Sequence, residues 1–173
     1  MALRPARCYR KLERPYTRKS KSKPRKSYVK GVPDPKIHRF QTGPDQDFGL
    51  KLWLISRKSL QIRHNALEAA RVAATKVLDK LGKTNYFLRV IPYPHHVLRE
   101  NPIATGAGAD RFQTGMRLAF GNPIGTAAQV REGQKIMEVR VSPENLEAGK
   151  RALKIAASKL PPCRILIEES KAG

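Results

Sequence analysis

The chain is short of acids, cysteines, aromatics and long apolar runs, and each shortage closes a route. Asp and Glu number 14 against 35 Lys and Arg, a formal net charge of +21. So large an excess is costly in self-repulsion unless a polyanion neutralises it, which makes nucleic acid the first partner to consider. The two cysteines, Cys8 and Cys163, stand at opposite ends. They offer neither metal-ligand spacing nor a disulfide framework, and so suit a reducing interior. No stretch approaches the roughly 20 apolar residues of a membrane helix. The first ten residues carry charge with no apolar run behind it, unlike a secretory signal. Phe, Trp and Tyr make up 6% of the chain, which leaves few platforms for base stacking.

What is present suffices for a folded body. At 40% hydrophobic the chain is no fully disordered polybasic tail. A chain of this length can bury roughly two-thirds of its unfolded surface. The charge is unevenly spread. Residues 1–30 hold Arg4, Arg7, Arg10, Lys11, Arg14, Arg18, Lys19, Lys21, Lys23, Arg25, Lys26 and Lys30 against a single acid, Glu13. Tyr9, Tyr16 and Tyr28 are interleaved with these cations. A solvated tail has little use for aromatics, whereas RNA binding uses them for stacking. Pro5, Pro15 and Pro24 forbid a continuous helix. The reading is an extended arm over 1–35 that orders on its partner, followed by a globular domain over 36–173.

Within that domain, 31–35 (Gly-Val-Pro-Asp-Pro) predicts a rigid turn. Short alternation predicts a strand over 36–40, and 48–55 is apolar and aromatic enough for another. Ser59 looks like a helix cap. From Leu60 the apolar residues fall at helical spacing through Leu67, Ala70 and Ala74 to Leu81, with Gly82 as the stop. A strand over 85–91 ends at Pro92 and Pro94. The order then repeats. A strand over 134–141 leads into Ser142-Pro143-Glu144, a helix start. Leu146, Gly149, Leu153, Ala156, Ala157 and Leu160 form a buried stripe. Pro161-Pro162 breaks that helix, and a strand follows over 164–168. Two strand–helix–strand units predict an α+β fold, a two-layer sandwich with both helices on one sheet face.

Between the units, 101–115 is rich in Gly, Ala and Thr and holds little that could pack. Long unstructured loops are commonly functional, although a passive insertion is the plain alternative. Gly121, Pro123 and Gly125 mark further turns.

Catalytic constellations fare poorly. Gly106-Ala107-Gly108 lacks the full phosphate-binding glycine fingerprint. His95 and His96 are adjacent, so on a strand they face opposite ways and cannot share a metal. His64, on an apolar helix face, reads as a satisfied histidine. No serine, cysteine or paired carboxylate has a suitable neighbour. No catalytic residue, metal site or cofactor is therefore assigned. Helix-turn-helix, zinc-finger and zipper patterns are missing as well. Two rivals to a structural RNA binder remain. One is an RNA-modifying or RNA-cleaving enzyme docked by its basic arm, using Asp110, His95 and His96. The other is an architectural DNA binder.

Several blocks, in order, resemble the L-ten-e family of large-subunit ribosomal proteins, counterpart of the bacterial L-sixteen protein. They are the opening 4–10 (Arg-Pro-Ala-Arg-Cys-Tyr-Arg), 31–37 and 65–71 (Asn-Ala-Leu-Glu-Ala-Ala-Arg). Gly108-Ala109-Asp110-Arg111, Gly115-Met116-Arg117, Ala119-Phe120-Gly121 and 123–127 (Pro-Ile-Gly-Thr-Ala) complete the set. The short end after Ile165-Leu166-Ile167 resembles the archaeal rather than the eukaryotic members. The resemblance implies a non-enzymatic, cytoplasmic component of the ribosome. It would bind rRNA near the central protuberance, touch neighbouring ribosomal proteins, and help position aminoacyl-site tRNA near the peptidyl-transferase centre. No homo-oligomer is expected. The implied rRNA contacts are Arg4, Arg7, Tyr9, Arg10, Lys11, Arg14, Tyr16, Arg18, Arg25, Lys26, Tyr28, Lys30, Arg63 and Arg71. The implied tRNA-facing loop carries Ile103, Ala104, Thr105, Gly106, Ala107, Gly108, Ala109, Asp110 and Arg111, with Arg117 behind it.

Overall fold

The computed structural model describes residues 4–12, 29–100 and 121–169. In chain order the strands and helices are β1 (Gln41–Thr42), β2 (Leu50–Ser56), β3 (Leu60–Arg63), α1 (His64–Leu78), β4 (Tyr86–Val90), β5 (His96–Glu100), β6 (Asn122–Val130), β7 (Lys135–Val141), α2 (Leu146–Ala157) and β8 (Cys163–Glu169). A five-stranded sheet runs β1-β4-β7-β2-β8, and a three-stranded sheet runs β3-β6-β5. Every pairing is antiparallel. The fold is α+β, as the pattern predicted. No helix among the described residues is long and apolar enough to cross a membrane.

The core follows from strand alternation. Leu52 and Leu54 on β2, Met137, Val139 and Val141 on β7, and Tyr86, Leu88 and Val90 on β4 fall on one face through the register. All are buried. Both helices cover that face. α1 contributes Leu67, Ala70, Ala74 and Leu78, and α2 contributes Gly149, Ala152, Leu153 and Ala156. The small residues let the helices approach closely. A Cβ on Gly149 would lie 3.2 Å from Val141 Cγ2 and 3.4 Å from Leu52 Cδ2. Gly82 stops α1 after a final 3-10 turn, donating its N–H to the Asp79 carbonyl.

Five local expectations give way. The helix begins at His64, and 60–63 is strand β3. Leu60 and His64 fit a helical spacing, but Ile62 is buried too, which is the period of a strand. Ser59 is no cap; its Oγ accepts the Glu132 N–H at 3.0 Å. Residues 36–40 form no strand. Phe40 ends the run by accepting the Val90 N–H, and the short β1 follows it. Pro123 and Gly125 lie inside β6 instead of in turns. The β5–β6 register shifts beside them, at Leu98/Arg99. Such an irregularity accommodates a proline that cannot donate to the ladder. Gly125 is there for space, since a Cβ would sit 2.8 Å from His64 Nε2. Ser142 makes no side-chain cap; a 3-10 turn, Pro143–Asn145, precedes α2.

The two sheets meet at a corner. β2 passes into β3, and β6 into β7, side by side. Ser56 N–H donates to the Gln134 carbonyl and Gly133 N–H to the Ser56 carbonyl, both at 3.0 Å. This corner sets β3, and whatever rests on it, at a fixed angle to the main sheet.

Candidate nucleic-acid interface

β3 is an edge strand of the small sheet, and an open edge invites stray pairing. The start of the basic arm occupies it. Gln61 N–H donates to the Arg10 carbonyl at 2.9 Å. The buried Gln61 amide donates to the Lys11 carbonyl at 2.7 Å and more weakly to that of Tyr9. Arg63 Nη1 donates to the Arg4 carbonyl at 2.9 Å, and its guanidinium stands 5.5 Å from the Tyr9 ring centre. Arg4 forms an ion pair with Glu100 at the end of β5. Residues 4–12 are thus ordered on the body around a 3-10 turn at Ala6–Tyr9. The arm was expected to be extended and to order on its partner; here local hydrogen bonds hold its start.

This arrangement sorts the predicted contacts. Arg7, Arg10 and Lys11 are exposed, and Gln61 engages the carbonyls of Arg10 and Lys11. Lys30 is exposed beside the buried Val29. Tyr9 is half-buried; burial first, then the Glu100 carboxylate, push its phenol above the ordinary 10.0. Arg4 and Arg63 serve inside the molecule as well. Arg71 binds Glu68 through two hydrogen bonds, 3.0 and 2.6 Å, which hold its guanidinium above the usual range. Arg14, Tyr16, Arg18, Arg25, Lys26 and Tyr28 lie outside the described residues, as do the loop residues from Ile103 to Arg111 and Arg117.

The body adds its own positive surface. Arg57, Lys58, Arg131, Lys159 and Arg164 are exposed with no ion-pair partner among the described residues. On the sheet face away from the helices, Lys135 and Arg140 are already committed. Lys135 Nζ lies 3.6 Å from the Trp53 ring centre, and Trp53 Nε1 donates to Glu168 at 2.6 Å. Arg140 covers Phe87 at 4.6 Å while pairing with Glu138 and Asp45. Burial works against the Arg140 charge, but the two carboxylates outweigh it and raise its pKa.

The histidines separate as the chain pattern implied. His96 is buried in β5 and His95 is exposed. His64 Nδ1 accepts the Lys36 N–H at 2.9 Å, so it is satisfied as expected. Burial first, then Lys36 and Arg63, lower its pKa below 6.5. No group of three or more His, Cys, Asp or Glu among the described residues could hold a metal ion. Gln61 and Glu100, which anchor the arm, were not singled out by sequence. Nothing local to either residue marks a partner about fifty or more positions away.

Comparison with known proteins bears on the whole chain. A family model described as ribosomal protein L16p/L10e matches residues 14–166. A protein of Staphylothermus marinus named large ribosomal subunit protein uL16 is 52% identical over 177 residues, covering 100% of this chain and 98% of its own. The protein of that name in Methanococcus maripaludis is 47% identical, covering 99% and 97%. That of Sulfolobus acidocaldarius is 54% identical, covering 93% and 90%. A match of this length and identity, on an α+β body with a basic arm root docked to it, means that the chain belongs to the L16p/L10e family of ribosomal proteins.

Proposed function

We propose that this chain is a cytoplasmic structural constituent of the archaeal large ribosomal subunit that binds rRNA and is not an enzyme. The observation that carries the reading is its full-length likeness to archaeal large-subunit proteins. The charge supports it. A body whose Arg57, Arg131 and Arg164 have no ion-pair partner among the described residues, and an arm root presenting Arg7, Arg10 and Lys11, matches a phosphate-rich scaffold.

In the mechanism, Lys and Arg displace counterions from rRNA phosphates near the central protuberance. The folded body, 36–173, fixes geometry, and the arm, 1–35, threads into the RNA. Docking of 4–12 on β3 gives the arm a defined point of departure. Glu100 ends β5 directly before 101–115, and its ion pair with Arg4 ties the start of that loop to the arm. The loop reaches toward the peptidyl-transferase region and helps position aminoacyl-site tRNA, with Arg111 and Arg117 supplying charge. Neighbouring ribosomal proteins complete its surroundings.

The test is reconstitution of the full chain with large-subunit rRNA over a range of salt. If about ten phosphates are contacted, the log–log slope of affinity against salt is roughly −7 to −9. A slope near zero contradicts the mechanism. Shortening 103–110 should leave incorporation intact and slow tRNA accommodation; unchanged rate and fidelity contradict the role of the loop.

A further inference from the structure

One aromatic cluster stands outside the arm root, with Phe40 packed against the edge of the core. Phe40 and Tyr93 stack with ring centres 5.4 Å apart and planes at 27°. Tyr93 and His95 follow at 4.4 Å and 46°. The segment that carries two of these rings, Ile91-Pro92-Tyr93-Pro94-His95, alternates in burial. Pro92 and Pro94 face inward, while Ile91, Tyr93 and His95 are exposed. Tyr93 is 47% exposed, an unusual display for a large ring held between two buried prolines. Proline fixes the backbone, so little conformational freedom is left for a ligand to remove. Phe40 is held from the other side, because its carbonyl accepts the Val90 N–H at 2.8 Å.

Phe40 and Tyr93 border a cleft of about 430 Å³. Phe40, Tyr93 and Ile91 form apolar walls, and His38, Gln41 and Arg89 supply polar and cationic groups. Gln41 and Arg89 are direct partners across β1 and β4, so both stand at one end of the cleft. Among the described residues, no carboxylate lines it. We infer that this cleft holds one unpaired RNA base, stacked against the Phe40 and Tyr93 rings that line it, with its flanking phosphate near Arg89. Unstacked bases in folded RNA are bound on aromatic rings and read at their edges by hydrogen-bonding side chains. Flat rings, an amide, a guanidinium and no acid are the set such a base requires. A protein partner would have to bring acidic or apolar groups to the same place. The inference rests on the proposed RNA partnership and adds a site to it.

The experiment has two arms. In purified large subunits carrying the full chain, ultraviolet irradiation should cross-link the peptide containing Tyr93 to an rRNA nucleotide. The cross-link should persist in Tyr93→Phe and fall at least about tenfold in Tyr93→Ala. Sedimentation of the same samples scores subunit membership separately. A chain that sediments with the subunit but cross-links there to protein, or not at all, overturns the inference and leaves the proposed function standing. In the second arm, the isolated full chain binds a single-stranded hexaribonucleotide containing 2-aminopurine at fixed salt. Stacking should quench the probe, and Tyr93→Ala should weaken binding about 5- to 150-fold, as expected for loss of one stacked base. Tyr93→Phe should bind within about twofold of wild type. Equal affinity of wild type and Tyr93→Ala, with thermal melts showing both folded, overturns the inference even if the chain proves ribosomal.

Discussion

Replacing Gln61 with Ala should loosen the arm without disturbing the core. The Gln61 amide spans the junction between β3 and the chain at 9–11, donating to the Lys11 carbonyl at 2.7 Å. A hydrogen bond of that geometry contributes about 0.5–1.5 kcal/mol net. The 3.4 Å contact with the Tyr9 carbonyl adds little. Lys11 is exposed, so its released carbonyl is rehydrated and carries no further penalty. The backbone bond from residue 61 to the Arg10 carbonyl survives, as do the Arg63–Arg4 hydrogen bond and the Arg4–Glu100 ion pair. Docking should therefore weaken about 2- to 12-fold. The assay is amide hydrogen exchange by NMR. The amide of residue 61, protected by the Arg10 carbonyl, should exchange faster by that factor after correction for intrinsic rate. The ladder between β2 and β7 should keep its protection. Unchanged exchange at residue 61 would refute the docking argument. Uniform acceleration throughout the ladder would refute it too, since Gln61 would then be supporting the core.

Three further outcomes follow from the packing. Gly43→Ala should cost more than about 2 kcal/mol and lower Tm by about 4–8 °C in a thermal melt, because φ at Gly43 is +90° and a methyl there would overlap the Tyr86 carbonyl. The depressed pKa of His64 means that the unfolded chain takes up the proton first. Its contribution to stability is present above pH 6.5 and lost as pH falls through the lower folded value. The urea midpoint of wild type should thus fall more than that of His64→Gln between about pH 7.5 and about pH 5, and parallel profiles would contradict this. Burial, opposed by Arg57, pushes the Cys163 thiol up to about 11 from 9.0. At about pH 8 it should carry about a hundredfold less thiolate than an ordinary thiol, and iodoacetamide should label it correspondingly slowly until urea unfolds the chain.

The elements legible in the sequence are the helices with one apolar face and the strands that are short apolar runs. α1 and α2 show small and apolar residues at helical spacing, and β2, β4, β7 and β8 are apolar runs bounded by turn residues or prolines. The three-stranded sheet was hidden for a physical reason. β6 carries Pro, Gly and Ala, poor strand formers that are tolerated here because β3 and β5 flank it and His64 needs the room beside Gly125. β3 was masked because four residues are too few to separate a period of two from one of 3.6. The positive character of the interface was plain from composition. Its construction was not, because Arg4 meets Glu100, Gln61 meets Lys11, and Phe40 meets Tyr93 only after the chain has folded. Cations can be counted from sequence, but which of them are already paired depends on long-range contacts.

The central claim is that these charges are neutralised by ribosomal RNA. Sedimentation of a cell lysate through a density gradient, with detection of this chain in each fraction, tests it most directly. The chain should travel with the large subunit at low salt and leave it only at high salt. Recovery mainly at the top of the gradient at low salt, as a lone folded protein, would contradict the account.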